Sequence, residues 1–100
     1  MNVAARPALV ATAGLSAYAA SKAVVVSLTV SLSEELAAEN IWVNAVVPSI
    51  MDTPINRRAM PNANFDAWPK LPEVAATIVF LASPQNEVTR GALLPVYGRS

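Results

Sequence analysis

The hydrophobic pattern divides the chain into a few long apolar segments separated by prolines and polar turns. Met1 to Ala5 reads as the end of a strand. Arg6 to Leu15, with Pro7 and Gly14, reads as a loop. Ser16 is a candidate N-cap. From Ala17 to Glu39 no Gly or Pro intervenes, and Ala, Leu, Glu and Ser predominate, which predicts one long helix ending near Asn40. Its middle, Ala23 to Leu32, is apolar on nearly every face, interrupted only by Ser27, Thr29 and Ser31. Such a helix is buried on all sides, so a partner surface is expected, with only the turns carrying Glu34, Glu35 and Glu39 solvated. Ile41 to Val47 is β-branched-rich, lies between Asn40 and Pro48, and reads as a buried strand. Pro48 to Pro69 is irregular, with short helical turns expected around Asn56 to Met60. Pro72 suits the first turn of a second helix, Glu73 suits its positive end, and Pro84 stops it near Ser83. Gly91 to Val96 reads as a final strand.

The order is therefore strand end, helix, strand, helix, strand. Alternation of this kind predicts an α/β fold with a parallel sheet and right-handed crossovers. One hundred residues allow one small domain or part of a larger one. Apolar residues make up 54% and charged residues 14%, which excludes a disordered chain and leaves little polar surface for a free-standing globule. Some of the apolar surface is expected to be covered by another chain or segment. Net charge is zero, so a nucleic-acid partner is not expected. Without cysteine or histidine, disulfides, thiolate metal sites, histidine-ligated zinc and histidine-based triads are excluded. The longest uncharged run, Pro7 to Ser21, is too short and too polar to span a bilayer, and it makes a poor signal-peptide core. Neither membrane nor secretion is expected, and cytoplasm is the default location.

Tyr18 and Lys22 lie four apart at the start of the long helix, hence on one face. A phenol titrates near pH ~10 in water. An ammonium one turn away favours the phenolate, and a phenol so tuned can exchange a proton with a substrate atom. Spacing alone equally allows a packed phenol beside a solvated lysine.

The surroundings of the pair carry more. Gly14-Leu15-x-x-Tyr18-Ala19-Ala20-Ser21-Lys22-Ala23 resembles the active-site segment of the short-chain dehydrogenase/reductases. Leu28-Thr29-x-Ser31-Leu32-x-x-Glu35-Leu36 is similar to that family's long helix, and Ile41-x-Val43-Asn44-Ala45-Val46 to its next strand. Pro48-Ser49-Ile50-Met51-Asp52-Thr53 resembles its Pro-Gly loop, with Ser49 in place of the usual Gly. Phe80-Leu81-Ala82-Ser83 and Gly91-Ala92 resemble its last helix and strand. The resemblance implies a Rossmann-like, doubly wound sheet and an NAD- or NADP-dependent oxidoreductase acting on a small molecule. It implies that Tyr18 is the proton donor or acceptor. Lys22 would lower the phenol's pKa and bind the nicotinamide ribose. Pro48, the Met51 backbone and the Thr53 hydroxyl would hold the nicotinamide end. It also implies a homo-oligomer formed through helix 17–39.

Two departures stand beside it. The family's serine thirteen positions before the tyrosine is Ala5 here, which removes a donor to a substrate carbonyl. The segment Asp52-Thr53-Pro54-x-Asn56-Arg57-x-x-Met60-Pro61-x-Ala63-x-Phe65-x-x-Trp68 is similar to the substrate loop of the dihydropteridine reductases, a branch that also has alanine at the serine position. A conjugated pterin ring is therefore one implied substrate; a scaffold loop shared by a wider subgroup is the other reading. Further, none of Gly14, Gly91 and Gly98 stands in the spacing of a dinucleotide-binding turn. The chain resembles the C-terminal part of the family's domain without its glycine-rich half. It is expected to be a fragment, a truncated product or an internally started reading frame. The alternative function is a non-catalytic remnant or oligomerisation piece. Trp42 and Trp68 read as packing residues. Arg57 and Arg58 read as a solvated pair, with steering of an anionic substrate as the alternative.

Overall fold

The computed structural model describes residues 1–100. Three parallel strands, β1 (Asn2–Val3), β2 (Ala45–Pro48) and β3 (Leu93–Val96), form one sheet in the order β1-β2-β3. Ala45 stands between Asn2 and Leu93, which sets the register. Helix α1 (Ser16–Leu36) joins β1 to β2; the short α2 (Pro54–Ala59) and then α3 (Leu71–Ala82) lie between β2 and β3. The expected alternation and parallel sheet are both present. β2 is buried at all four positions, as a central strand covered on two faces must be.

The elements end where local chemistry dictates. α1 tightens into a 3-10 turn over Ala37–Glu39 and closes on Asn40 in the left-handed conformation, φ 57°. Pro72 sits in the first turn of α3, and the Glu73 carboxylate accepts the Lys70 N–H at 2.9 Å. Ser16 is the first helical residue rather than the cap; Leu15 takes that position, and its carbonyl accepts the Ala19 N–H at 2.7 Å. Residues 41–44 are outside the strand, because β1 and β3 provide ladder partners only from Ala45 onward. Residues 91 and 92 likewise precede β3. Gly91 adopts φ 66°, and a Cβ there would come within 3.1 Å of Ser33 Oγ.

The fold is a slab, 48 × 29 × 18 Å, with 15 of 100 residues buried. The core centres on Ala45, Val46 and Val47 of β2, with Ala4, Ala5 and Val43 beside them, Val74 and Leu81 from α3, and Trp68. Helix α1 corrects the expectation of burial on all sides. Its buried residues are Thr29 and Ser33, whereas Val24 and Leu28 are 66% and 51% exposed. The inward face is polar because it is hydrogen-bonded. Asn2 Nδ2 donates to Thr29 Oγ1 at 2.9 Å, and Arg90 donates to the Ser33 carbonyl at 3.1 Å. The outward face is the apolar one. By length and composition alone Ser16–Glu39 is long and apolar enough to cross a membrane, a test that an apolar helix of a soluble protein also meets. Asn44 and Asn86 fix the approach to β3: Asn44 Oδ1 accepts the Ala92 N–H at 2.9 Å, and both amides donate to the Thr89 carbonyl.

Candidate active site

The C-terminal ends of β1 and β2 open into a cleft of about 480 Å³, where open parallel sheets present their sites. Ala5 and Arg6 form one wall. Tyr18, in the first turn of α1, faces Pro48 and Ser49 at the end of β2, and Trp68 closes a further side. Tyr18 is 48% exposed. Lys22, one helical turn on, is half-buried and does not line the cleft; its Nζ donates to the Val3 carbonyl of β1 at 3.3 Å. Of the residues singled out in the sequence, the structure thus brings Tyr18 and Pro48 to one cavity. It places Lys22 behind Tyr18, and Met51 and Thr53 further along the loop leaving β2.

That loop is tied down at every residue that matters. Ser49, where the resemblance has glycine, needs no positive φ. Its hydroxyl instead bonds the Tyr97 carbonyl at 3.2 Å and Ser100 Oγ at 2.6 Å. The Met51 carbonyl accepts Asn56 Nδ2 at 2.8 Å, while the Met51 N–H has no protein acceptor. Thr53 caps α2 by accepting the Asn56 N–H at 3.2 Å, which leaves its hydroxyl hydrogen free to donate. Pro54 at the first helical turn suits that cap.

Asp52, between Met51 and Thr53, is the anchor. Its carboxylate accepts two bonds from Arg57, at 2.6 and 2.8 Å, and one from Lys70 at 2.8 Å, while its N–H donates to the Pro69 carbonyl at 3.0 Å. Lys70 also donates to the Phe65 carbonyl at 2.7 Å. The Arg57 guanidinium lies 4.7 Å over the Phe65 ring, and Phe65 packs on Trp68 at 5.0 Å between ring centres. One carboxylate therefore joins the loop after β2 to the wall that carries Trp68. Arg57 is consequently not a free cation for steering an anion; Arg58 remains exposed.

Hydrogen bonds from Arg57 first, and then from Lys70, hold the Asp52 carboxyl well below the usual carboxylate range. With the folded value depressed, its stabilising effect is fully present above the ordinary value near ~3.9 and is lost as pH falls through the depressed one. Hydrogen exchange of the Asp52 and Asn56 amides, corrected for intrinsic rates, is therefore expected to show constant protection from neutral pH to about pH 4, and to weaken only in stronger acid. Asp52→Asn should weaken protection already at neutral pH. Equal protection in the variant at neutral pH would show that the carboxylate does not pin the loop.

Sequence reading missed Arg6 and Ser100 as cleft residues; Trp68 packs as expected, buried against Phe65, and also lines the cleft. Arg6 did carry a signal, since it adjoins the position thirteen before Tyr18. Trp68 and Ser100 carried none, because only the return of the chain after α2 and β3 brings them to Tyr18.

A parallel sheet with helices between its strands, and a Tyr-x-x-x-Lys helix start beside a proline-led loop, make a Rossmann-type α/β fold, and the chain belongs to the short-chain dehydrogenase/reductase family, whose members are oxidoreductases. A family model described as enoyl-(acyl carrier protein) reductase matches residues 1–98. The chain is 34% identical to the 3-oxoacyl-[acyl-carrier-protein] reductase FabG of Thermotoga maritima, over 98% of its own length and 43% of that protein. It is 36% identical to the dihydropteridine reductase of Dictyostelium discoideum, over 87% of its length and 39% of that protein. A solved short-chain dehydrogenase/reductase family protein superposes with a TM-score of 0.85 at 32% identity, covering 97% of this chain and 43% of the other. ElxO with NADP bound superposes at 0.86 with 25% identity, over 97% and 44%. The chain thus spans less than half the length of the curated relatives it matches.

Proposed function

We propose that residues 1–100 form the nicotinamide- and substrate-facing half of an NAD(P)-dependent oxidoreductase. The observation that carries this reading is that Tyr18 and Pro48 line one cleft, with Lys22 one turn behind the phenol. Tyr18 holds or delivers the proton at its hydroxyl. Lys22 provides the positive charge behind it. With a single long bond to the Val3 carbonyl, it keeps donors for ribose hydroxyls. The free Met51 N–H and the Thr53 hydroxyl suit a carboxamide, and Pro48 shapes the cleft floor, so the donor set fits a nicotinamide nucleotide. When bound, that cofactor supplies hydride. Between NADH and NADPH nothing in these residues discriminates.

The pyrophosphate end is assigned to segments outside residues 1–100. Of the glycines here, Gly91 and Gly98 pack against Ser33 and the 67–69 backbone. Gly14 stands alone before α1, so no strand–glycine turn–helix cradle is formed. Titrating residues 1–100 with NADH and following nicotinamide fluorescence should accordingly show binding weaker than micromolar. Micromolar binding by these residues alone would overturn the assignment. As substrates, a quinonoid pterin and a 3-oxoacyl thioester are the two to assay. Ala5 removes the hydroxyl donor that a simple ketone would use and so favours the conjugated ring.

The exposed Val24 and Leu28 face of α1 supports a second element of the reading, association of two copies through this helix. The same face would serve a non-catalytic interaction piece. Turnover by the natural polypeptide containing these residues separates the two.

A further inference from the structure

We propose that Arg6 is a specificity-determining residue of the cleft and selects a substrate carrying an anionic oxygen group, such as a carboxylate or a ring enolate. This rests on the reading of the cleft as the substrate site. Arg6 is the one charged side chain among the residues that line it, and no aspartate or glutamate lines it. Its guanidinium lies 4.8 Å from the centre of the Tyr97 ring, stacked there as a cation on a π face. Stacking fixes the plane of the group and leaves its edge N–H donors outward.

Those donors meet no acceptor. Arg57 is bound twice by Asp52, and Arg90 by Ser33 and Glu34, but Arg6 has no ion pair and no side-chain hydrogen bond. An ordered guanidinium in a partly apolar cavity, without a counter-charge, favours a ligand that brings one. The fork of donors matches two oxygens of a carboxylate or one delocalised oxyanion. The hydroxyl side chains that share the cleft with it, those of Thr12, Tyr18, Ser49 and Ser100, are neutral. Arg6 also follows Ala5, the position with no hydroxyl. The cleft therefore anchors its ligand through charge where a serine donor is missing. Tyr18 then meets the reacting end.

The test uses two probes of equal size and shape, benzoate and benzamide. Their binding to the natural polypeptide that contains these residues is followed by NMR on the indole N–H of Trp68, which lines the same cleft. Benzoate is expected to bind at least about tenfold more tightly than benzamide, the scale of one charge-assisted bond. Arg6→Gln should erase that preference, Arg6→Lys should keep part of it, and Arg99→Gln, outside the cleft, should leave it intact. A preference that persists in Arg6→Gln, or that vanishes equally in Arg99→Gln, overturns the proposal. Binding of both probes without preference also overturns it, while leaving the cleft as the substrate site. Binding of neither probe removes the cleft reading and the Arg6 assignment together.

Discussion

Replacing Tyr18 by Phe is expected to lower turnover about 10²- to 10⁴-fold in the natural polypeptide that contains these residues, the range for losing a positioned proton-transfer group. The reasoning is local. Phe keeps the ring in the first turn of α1 and removes only the hydroxyl. No structural hydrogen bond is lost, since that hydroxyl has no partner in the fold, and the side chain is half exposed. Thermal stability and NAD(P)H binding should therefore stay near those of the parent. A stopped reaction with cofactor binding intact assigns Tyr18 to proton transfer. Turnover at the parental rate would remove it from that role, and loss of cofactor binding would make it a binding residue instead.

The largest effect on stability is expected at Trp68. Its side chain is 6% exposed, packs on Phe65 and closes the cleft opposite Tyr18. Truncation to Ala should cost about 3–5 kcal/mol, as burial and cavity terms combine. Against a typical domain stability of about 5–15 kcal/mol this is a large share. Urea unfolding of the parent and Trp68→Ala would measure it. The same change loosens the Arg57–Phe65–Trp68 stack that Asp52 holds, so probe binding in the cleft should weaken together with stability. A midpoint unchanged by the substitution would mean that the loop after α2 contributes nothing to the core.

Local chemistry carries far in this chain. The break-free run Ala17–Glu39 and its stop at Asn40, the Pro72–Glu73 helix start and the Pro84 stop each follow from backbone sterics and helix-end electrostatics. They match the observed helices to within a residue or two. Strand limits were harder. Ile41–Asn44 and Gly91–Ala92 have strand-like composition, and the Val43, Asn44 and Ala92 carbonyls even accept N–H groups from neighbouring segments, but the regular parallel register starts only at Ala45, and that pairing is non-local. The inverted character of α1 was illegible for a related reason. Composition shows an apolar helix, while Asn2 and Arg90 decide that Thr29 and Ser33 face inward.

The sequence by itself determined the order of elements, the α/β class, the Tyr18–Lys22 pair on one helix face and the irregular stretch that begins at Pro48. All of these depend on residues close together along the chain. Only the tertiary structure decided that Arg6 and Trp68 share a cleft with Tyr18, that Asp52 ties Arg57 and Lys70 to one loop, and that Lys22 reaches back to Val3. Those contacts join residues from different elements. Parallel pairing of β1, β2 and β3 brings them together, and no periodicity along a single segment records it.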